Sequence, residues 1–253
     1  MLCPTSFLSV CEPMGSTVYI PLAELASRQH ELPPPPRAVK VVNACVEAYG
    51  ALGWLHARGR RAHLVEPDTV PPPTPGARYR LWEPNAFLQE ILEQHSLPKP
   101  APLVLDLGCG SGREAVYLAD RGCRVMAVDR LPDALERGRQ LQVRYAPESP
   151  PIEWICVDLE QSVWQPPEPP EVVCLFFFFS RELLRRAWEW LAPGGWLILE
   201  AFTETHFQTY GRPASPERRV SSGERLLPAE CVRYRSEGWR ESGRHTLRLW
   251  AIK

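Results

Sequence analysis

The stretch that decides the fold is Val104–Ala115, VLDLGCGSGREA. It is apolar, then acidic at Asp106, then nearly bare of side chains, with Gly108, Gly110 and Gly112 inside five positions. The residues before the glycines read as a buried strand. After them Ala115, Val116, Leu118 and Ala119 recur at helical spacing until Gly122. A glycine turn from strand to helix exposes backbone N–H groups at the helix start, and the missing β-carbons let a ligand lie against the main chain. The spacing is G-x-G-x-G, and Arg113 stands where a dinucleotide fingerprint would place its third glycine. Asp106 would sit poorly beside a pyrophosphate and well beside a cation.

Outward from this turn, strand and helix alternate. RVMAVD (124–129) reads as a strand, LPDALERGRQLQVRY (131–145) as a helix with Pro132 in its first turn, and IEWICVD (152–158) as a third strand. EVVCLFFFF (171–179) reads as a fourth strand. SRELLRRAWEWLA (180–192) reads as a helix capped by Ser180, with an apolar stripe at Leu183, Leu184, Ala187, Trp188 and Leu191. WLILEAF (196–202) is a fifth strand, and residues 232–253 read as a closing hairpin. Near-continuous apolar strands alternating with helices predict an α/β fold. Its sheet is mostly parallel, with helices on both faces, a C-terminal antiparallel hairpin and ligands beyond the C-terminal strand ends.

Length and charge narrow the classes. The 253 residues suit one α/β domain with an appendage, and a net charge of -1 gives no global basic field for nucleic acid or a membrane surface. The apolar run VVCLFFFF has eight residues, too few for a bilayer span, and no basic segment with an apolar signal core opens the chain; a soluble, cytoplasmic protein is expected. Eight cysteines without a CxxC pair suit reduced, buried thiols and no metal site. Proline-rich ELPPPPRA (31–38) and VPPPTPGA (70–77) punctuate the N-terminal part, and a boundary is expected at 75/76, leaving a short α/β segment (1–75) before the main domain (76–253).

VLDLGCGSGREAVYLADRGCRVMAVD resembles the first two motifs of class I S-adenosylmethionine-dependent methyltransferases, whose sulfonium and amino group would supply the cation beside Asp106. The resemblance, over roughly residues 80–230, implies a Rossmann-like methyltransferase fold with S-adenosyl-L-methionine as cofactor. It also implies that Asp129 takes both ribose hydroxyls and that Asp158, in CVDLE, stands at the adenine. LAPGGWLILE matches the turn before strand five. The implied cofactor set is Asp106, Gly108, Cys109, Gly110, Gly112, Asp129, Arg130, Asp158, Leu159 and Phe177. The run Phe176–Phe179 reads mainly as core, with its last members able to wall the transfer pocket.

EAFTETHFQTYGRPASPERRV resembles the small tellurite-resistance-type methyltransferases, through Glu200, Phe202, Thr203, Gly211, Arg212 and Pro213. This implies a small-molecule methyl acceptor, a thiol or a metalloid oxyanion among them. Glu200, His206 and Tyr210 are the weak candidates for a catalytic base, each also readable as a packing residue of a loop. Residues 18–59 resemble part of a rhodanese domain with Cys45 at the sulfur-carrying position. The loop CVEAYG supplies Glu47 where that chemistry needs amides or arginine, so the segment is expected to be non-catalytic. Two alternatives stand beside the small-molecule enzyme: a methyltransferase for RNA or protein, for which neither a Pro-Pro-Tyr-type motif nor a basic aromatic surface is evident, and a non-catalytic cofactor-binding scaffold.

Overall fold

The structure, a computed structural model, describes residues 7–11, 17–43, 45–69 and 80–253. The chain forms two compact units, residues 1–83 and 84–253. The expected boundary at 75/76 lies outside the described residues.

In the first unit β1 (Phe7–Cys11) and β2 (Thr17–Pro21) pair antiparallel, while β3 (Val39–Val42) and β4 (Ala62–Val65) pair in parallel. A parallel pair needs a crossover, and α1 (Glu47–Ala57) supplies it, burying Ala48, Ala51 and Leu55.

The second unit opens with α2 (Ala86–Gln94), capped by Asn85, whose Oδ1 accepts the Phe87 N–H at 2.8 Å. There follow β5 (Leu103–Leu107), α3 (Arg113–Ala119), β6 (Arg124–Asp129), α4 (Pro132–Tyr145) and β7 (Glu153–Cys156). β8 (Val172–Phe176), α5 (Arg181–Trp190), β9 (Trp196–Phe202), α6 (Glu204–Tyr210), β10 (Val232–Trp239) and β11 (His245–Ile252) complete the chain. The seven strands run in the order β10-β11-β9-β8-β5-β6-β7, parallel from β9 through β7, with β11 antiparallel to β9 and β10 antiparallel to β11. Every residue of β5 and β8 is buried, which is why these strands read as unbroken apolar runs. Strand order reverses between β5 and β8, and that switch point opens a crevice above the C-terminal strand ends.

Three elements differ from expectation. The fourth strand ends at Phe176, because its partner β5 turns away after Leu107 and Phe177 passes into the left-handed region at φ 59°. The third stops at Cys156, opposite Asp129, so Asp158 lies in a turn beyond the ladder. The stretch from Glu204 to Tyr210 is helical rather than a loop, since Thr203 Oγ1 accepts the His206 N–H at 3.4 Å and Gly211 ends the helix at φ 67°.

One packing arrangement fixes the helices around the turn. A β-carbon added at Gly112 would lie 2.3 Å from Trp154 Cη2, and one at Gly138 would lie 2.4 Å from the same atom, so the β7 indole fills space left by two glycines. Gly138→Ala should therefore destabilise by about 1–3 kcal/mol despite alanine's helix preference, because overpacking outweighs propensity. Urea unfolding measures it, and an unchanged or raised midpoint would contradict this packing.

Candidate functional site

The glycine turn is held by β6. Val128 O accepts the N–H groups of Gly108 (2.8 Å) and Cys109 (3.1 Å), and the Cys109 carbonyl accepts the Gly112 N–H at 2.9 Å. Gly108, Gly110 and Gly112 take φ of 73°, 55° and 71°, values that side chains rarely adopt. Their reasons differ. A β-carbon at Gly108 would strike the Phe178 ring at 2.5 Å and one at Gly112 the Trp154 ring, so both accommodate the protein's own side chains. Only at Gly110 does the missing β-carbon face open space.

Asp129, the last residue of β6, ties this turn to the next one: its Oδ2 accepts the Gly110 N–H and its Oδ1 the Leu131 N–H, both at 2.9 Å. Asp158 Oδ1 accepts the Glu160 N–H at 3.0 Å, and the Arg130 guanidinium stands 3.7 Å from its other oxygen. Asp129, Arg130 and Leu131 line one wall of a cleft of about 210 Å³, facing Val157, Asp158 and Leu159, with Gly108, Phe178 and Arg218 completing it. The cleft thus gathers Gly108, Asp129, Arg130, Asp158 and Leu159 of the expected set. Asp106, Cys109, Gly110, Gly112 and Phe177 are not in its wall. Leu131, Val157 and Arg218 escaped the sequence reading, whereas Phe178 belongs to the phenylalanine run whose last members that reading brought to a pocket wall. Arg218 comes from a distant loop, where only its ion pair with Glu160 and its place over the Phe178 ring, 5.1 Å from the centroid, bring it to the cleft.

Asp106 lies buried in β5 beneath the turn. Burial, then the negative charges of Glu114 and Asp129, hold its carboxyl well above the usual carboxylate range, opposed by a hydrogen bond from the Ala115 N–H. Its Oδ2 has no hydrogen-bond partner among the described residues. A buried acceptor without a donor is costly, and a cationic ligand would satisfy it. The same burial and the three carboxylates push the Cys109 thiol upward, so it stays protonated and is no nucleophile.

The three candidate bases sit in different surroundings. Glu200 is buried in β9 and fully engaged: Oε2 accepts from Asn85 Nδ2 (2.8 Å), Oε1 accepts from Thr246 Oγ1 (2.7 Å), and Arg248 Nε stands 3.3 Å away. Asn85 also donates its N–H to Glu114 at 2.9 Å, so Glu200 joins α2, α3 and the closing hairpin as a structural node. His206 Nδ1 accepts the His245 N–H at 3.2 Å, which leaves the neutral ring with its proton on Nε2 and no free lone pair. Burial and the nearby positive charges of Arg212, Arg244 and His245 lower its pKa, favouring that neutral form. Tyr210 is exposed on α6 and stacks edge-on toward Trp239.

Residues 104–195 match a family model described as a methyltransferase domain. A carboxy-S-adenosyl-L-methionine synthase from Geobacter sp. (strain M21) is 31% identical over 179 residues, covering 60% of this chain and 72% of that protein. The chain belongs to the class I S-adenosylmethionine-dependent methyltransferases. The fold of this methyltransferase is shared with TehB from Haemophilus influenzae (TM-score 0.52, 19% identity, 68% of this chain and 64% of that one). It is shared too with the N-methyltransferase NodS from Bradyrhizobium japonicum WM9 (TM-score 0.50, 20% identity, 67% and 97%). The enzyme uses S-adenosylmethionine, and the residues present fit that group: an orphaned buried carboxylate oxygen for a cation, a glycine whose β-carbon position is open, and two acids around one cleft, Asp129 at the end of β6 and Asp158 in the turn beyond β7. Among the described residues no cluster of side chains could hold a metal ion, and no helix is long and apolar enough to cross a membrane.

Proposed function

We propose that this enzyme methylates a small molecule, and that the cofactor lies across the switch point. In this reading Asp106 faces its cationic amino-acid end, and the backbone from Gly108 through Cys109 and Gly110 to Gly112 forms its floor. Asp129 takes the ribose hydroxyls; Arg130, Asp158 and Leu159 flank the adenine; and Phe177 stands on the acceptor side. The observation that carries the reading is the unpartnered, buried Asp106 oxygen directly beneath a turn whose Gly110 opens into free space. Bound S-adenosylmethionine supplies an already activated methyl group, so the chain's task is to align the acceptor and exclude water rather than to generate a strong electrophile.

The engagement of Glu200 and His206 supports an acceptor that needs no general base. The G-R-P loop after α6 supports kinship with the tellurite-resistance type, and the free thiols at Cys45, Cys109, Cys123, Cys156, Cys174 and Cys231 suit the reducing cytoplasm. The 31% identity to a carboxy-S-adenosyl-L-methionine synthase favours a second reading, in which the cofactor itself is the molecule modified. Incubation with methyl-labelled S-adenosylmethionine and fractionated cell extract separates the two. Label appearing in a small-molecule fraction supports methyl transfer; label confined to a carboxylated cofactor supports the second reading; and label on RNA or protein overturns both.

We read the N-terminal unit as rhodanese-like and non-catalytic, on the strength of Glu47 opening α1 two residues after Cys45. Cys45→Ser should leave methyl transfer within about threefold of wild type, roughly 0.7 kcal/mol in barrier. Thiocyanate formed from thiosulfate and cyanide by the wild-type chain, and lost in the variant, would overturn this.

A further inference from the structure

The sheet edge beyond β8 and β9 carries a second cluster, whose residues are not in the wall of the cleft. Phe177 and Phe202 have ring centroids 5.2 Å apart, His206 stacks on Phe202 at 4.5 Å, and Tyr210 follows at 4.8 Å. Arg244, in the turn before β11, lies over Phe177 with its guanidinium carbon 4.6 Å from the ring centroid. Arg113 opens α3 at this same edge of the sheet, and Arg212 follows α6, whose His206 and Tyr210 belong to the aromatic cluster. Although Arg244 is exposed as a residue, partial loss of water around its guanidinium, then the like charges of Arg113 and Arg212, lower its pKa against the pull of Glu200. None of the three guanidinium groups makes an ion pair among the described residues. Like charges gathered with no carboxylate in ion-pair contact leave room for an anion from outside the chain.

We propose that Arg113, Arg212 and Arg244, with Phe177 and Phe202, form the acceptor subsite, and that it takes a planar carboxylate, an aromatic or conjugated acid. The inference rests on the small-molecule methyltransferase reading and names the acceptor's class. Guanidinium forks match a carboxylate geometrically, and an aromatic wall takes a flat, apolar body. A metalloid oxyanion has no flat apolar body to lie against Phe177 and Phe202. A carboxylic acid enters already ionised at neutral pH, so no residue has to remove a proton from it.

The test titrates benzoate, trans-cinnamate and fumarate, each against its amide, into the full chain saturated with S-adenosylhomocysteine; tellurite and a single-stranded RNA oligonucleotide are the remaining probes. At least one acid should bind at least about tenfold more tightly than its amide. Arg212→Gln and Arg244→Gln should each weaken it about tenfold while leaving S-adenosylhomocysteine affinity within about twofold. Equal binding of acids and amides, binding of tellurite or RNA with no acid bound, or acid affinity unchanged in both variants would overturn the subsite. Failure of S-adenosylhomocysteine to bind the wild-type chain would overturn the cofactor reading beneath it. Cofactor binding without binding of any acid overturns the acceptor class alone.

Discussion

Asp106→Asn is expected to make the ligand-free protein more stable and to disable its cofactor site. The carboxyl is buried and held well above the usual carboxylate range, with one oxygen unpartnered. In the unfolded chain the same group ionises near its ordinary value, about 4. The folded state therefore binds more protons than the unfolded state between that value and the raised one, and stability falls as pH rises through this window. Asparagine removes the titration and can still accept the Ala115 N–H. At pH 7–8 the variant should gain on the order of 1–2 kcal/mol, about 2–8 °C in Tm, and the gain should shrink as pH falls toward about 4 and vanish below about pH 3, where the wild-type carboxyl is protonated in both states. Affinity for S-adenosylhomocysteine, which keeps the cationic amino group, should fall on the order of a hundredfold. A destabilised variant, or one that binds normally, would remove Asp106 from this role.

Gly110→Val should have the opposite profile in stability and the same outcome in binding. At φ 55° a β-branched residue is strained by about 1–3 kcal/mol. No protein atom lies within 4 Å of the added β-carbon, so the fold itself should survive with a cooperative melt. The valine methyl groups would occupy the space assigned to the cofactor, and the ligand-induced rise in Tm should disappear. A rise equal to that of wild type would place the cofactor elsewhere.

The fold was legible because its signals are local and repeated. LVLDL, RVMAVD and WLILEAF form strands over the expected residues, Ser180 caps α5 by accepting the Leu183 N–H at 3.1 Å, and the C-terminal hairpin closes the sheet. Strand ends were less legible, since they depend on where the neighbouring strand stops: four phenylalanines in a row continue a β pattern, and only the turning away of β5 ends β8 at Phe176. Site chemistry was harder still. That Glu200 is spent on Asn85 and Thr246, residues 115 and 46 positions away, cannot be read from the strand that carries it. Likewise the glycines share one motif but answer to Phe178, open space and Trp154 in turn.

The cofactor reading stands or falls on Asp129, which joins the glycine turn to the cleft. Calorimetric titration of S-adenosylhomocysteine into the wild-type protein and Asp129→Ala tests it most directly. The account predicts saturable one-to-one binding to wild type and a loss of about 2–4 kcal/mol, roughly 30-fold or more in Kd, in the variant. Equal affinity in the two proteins, or no binding to the wild type, would contradict it.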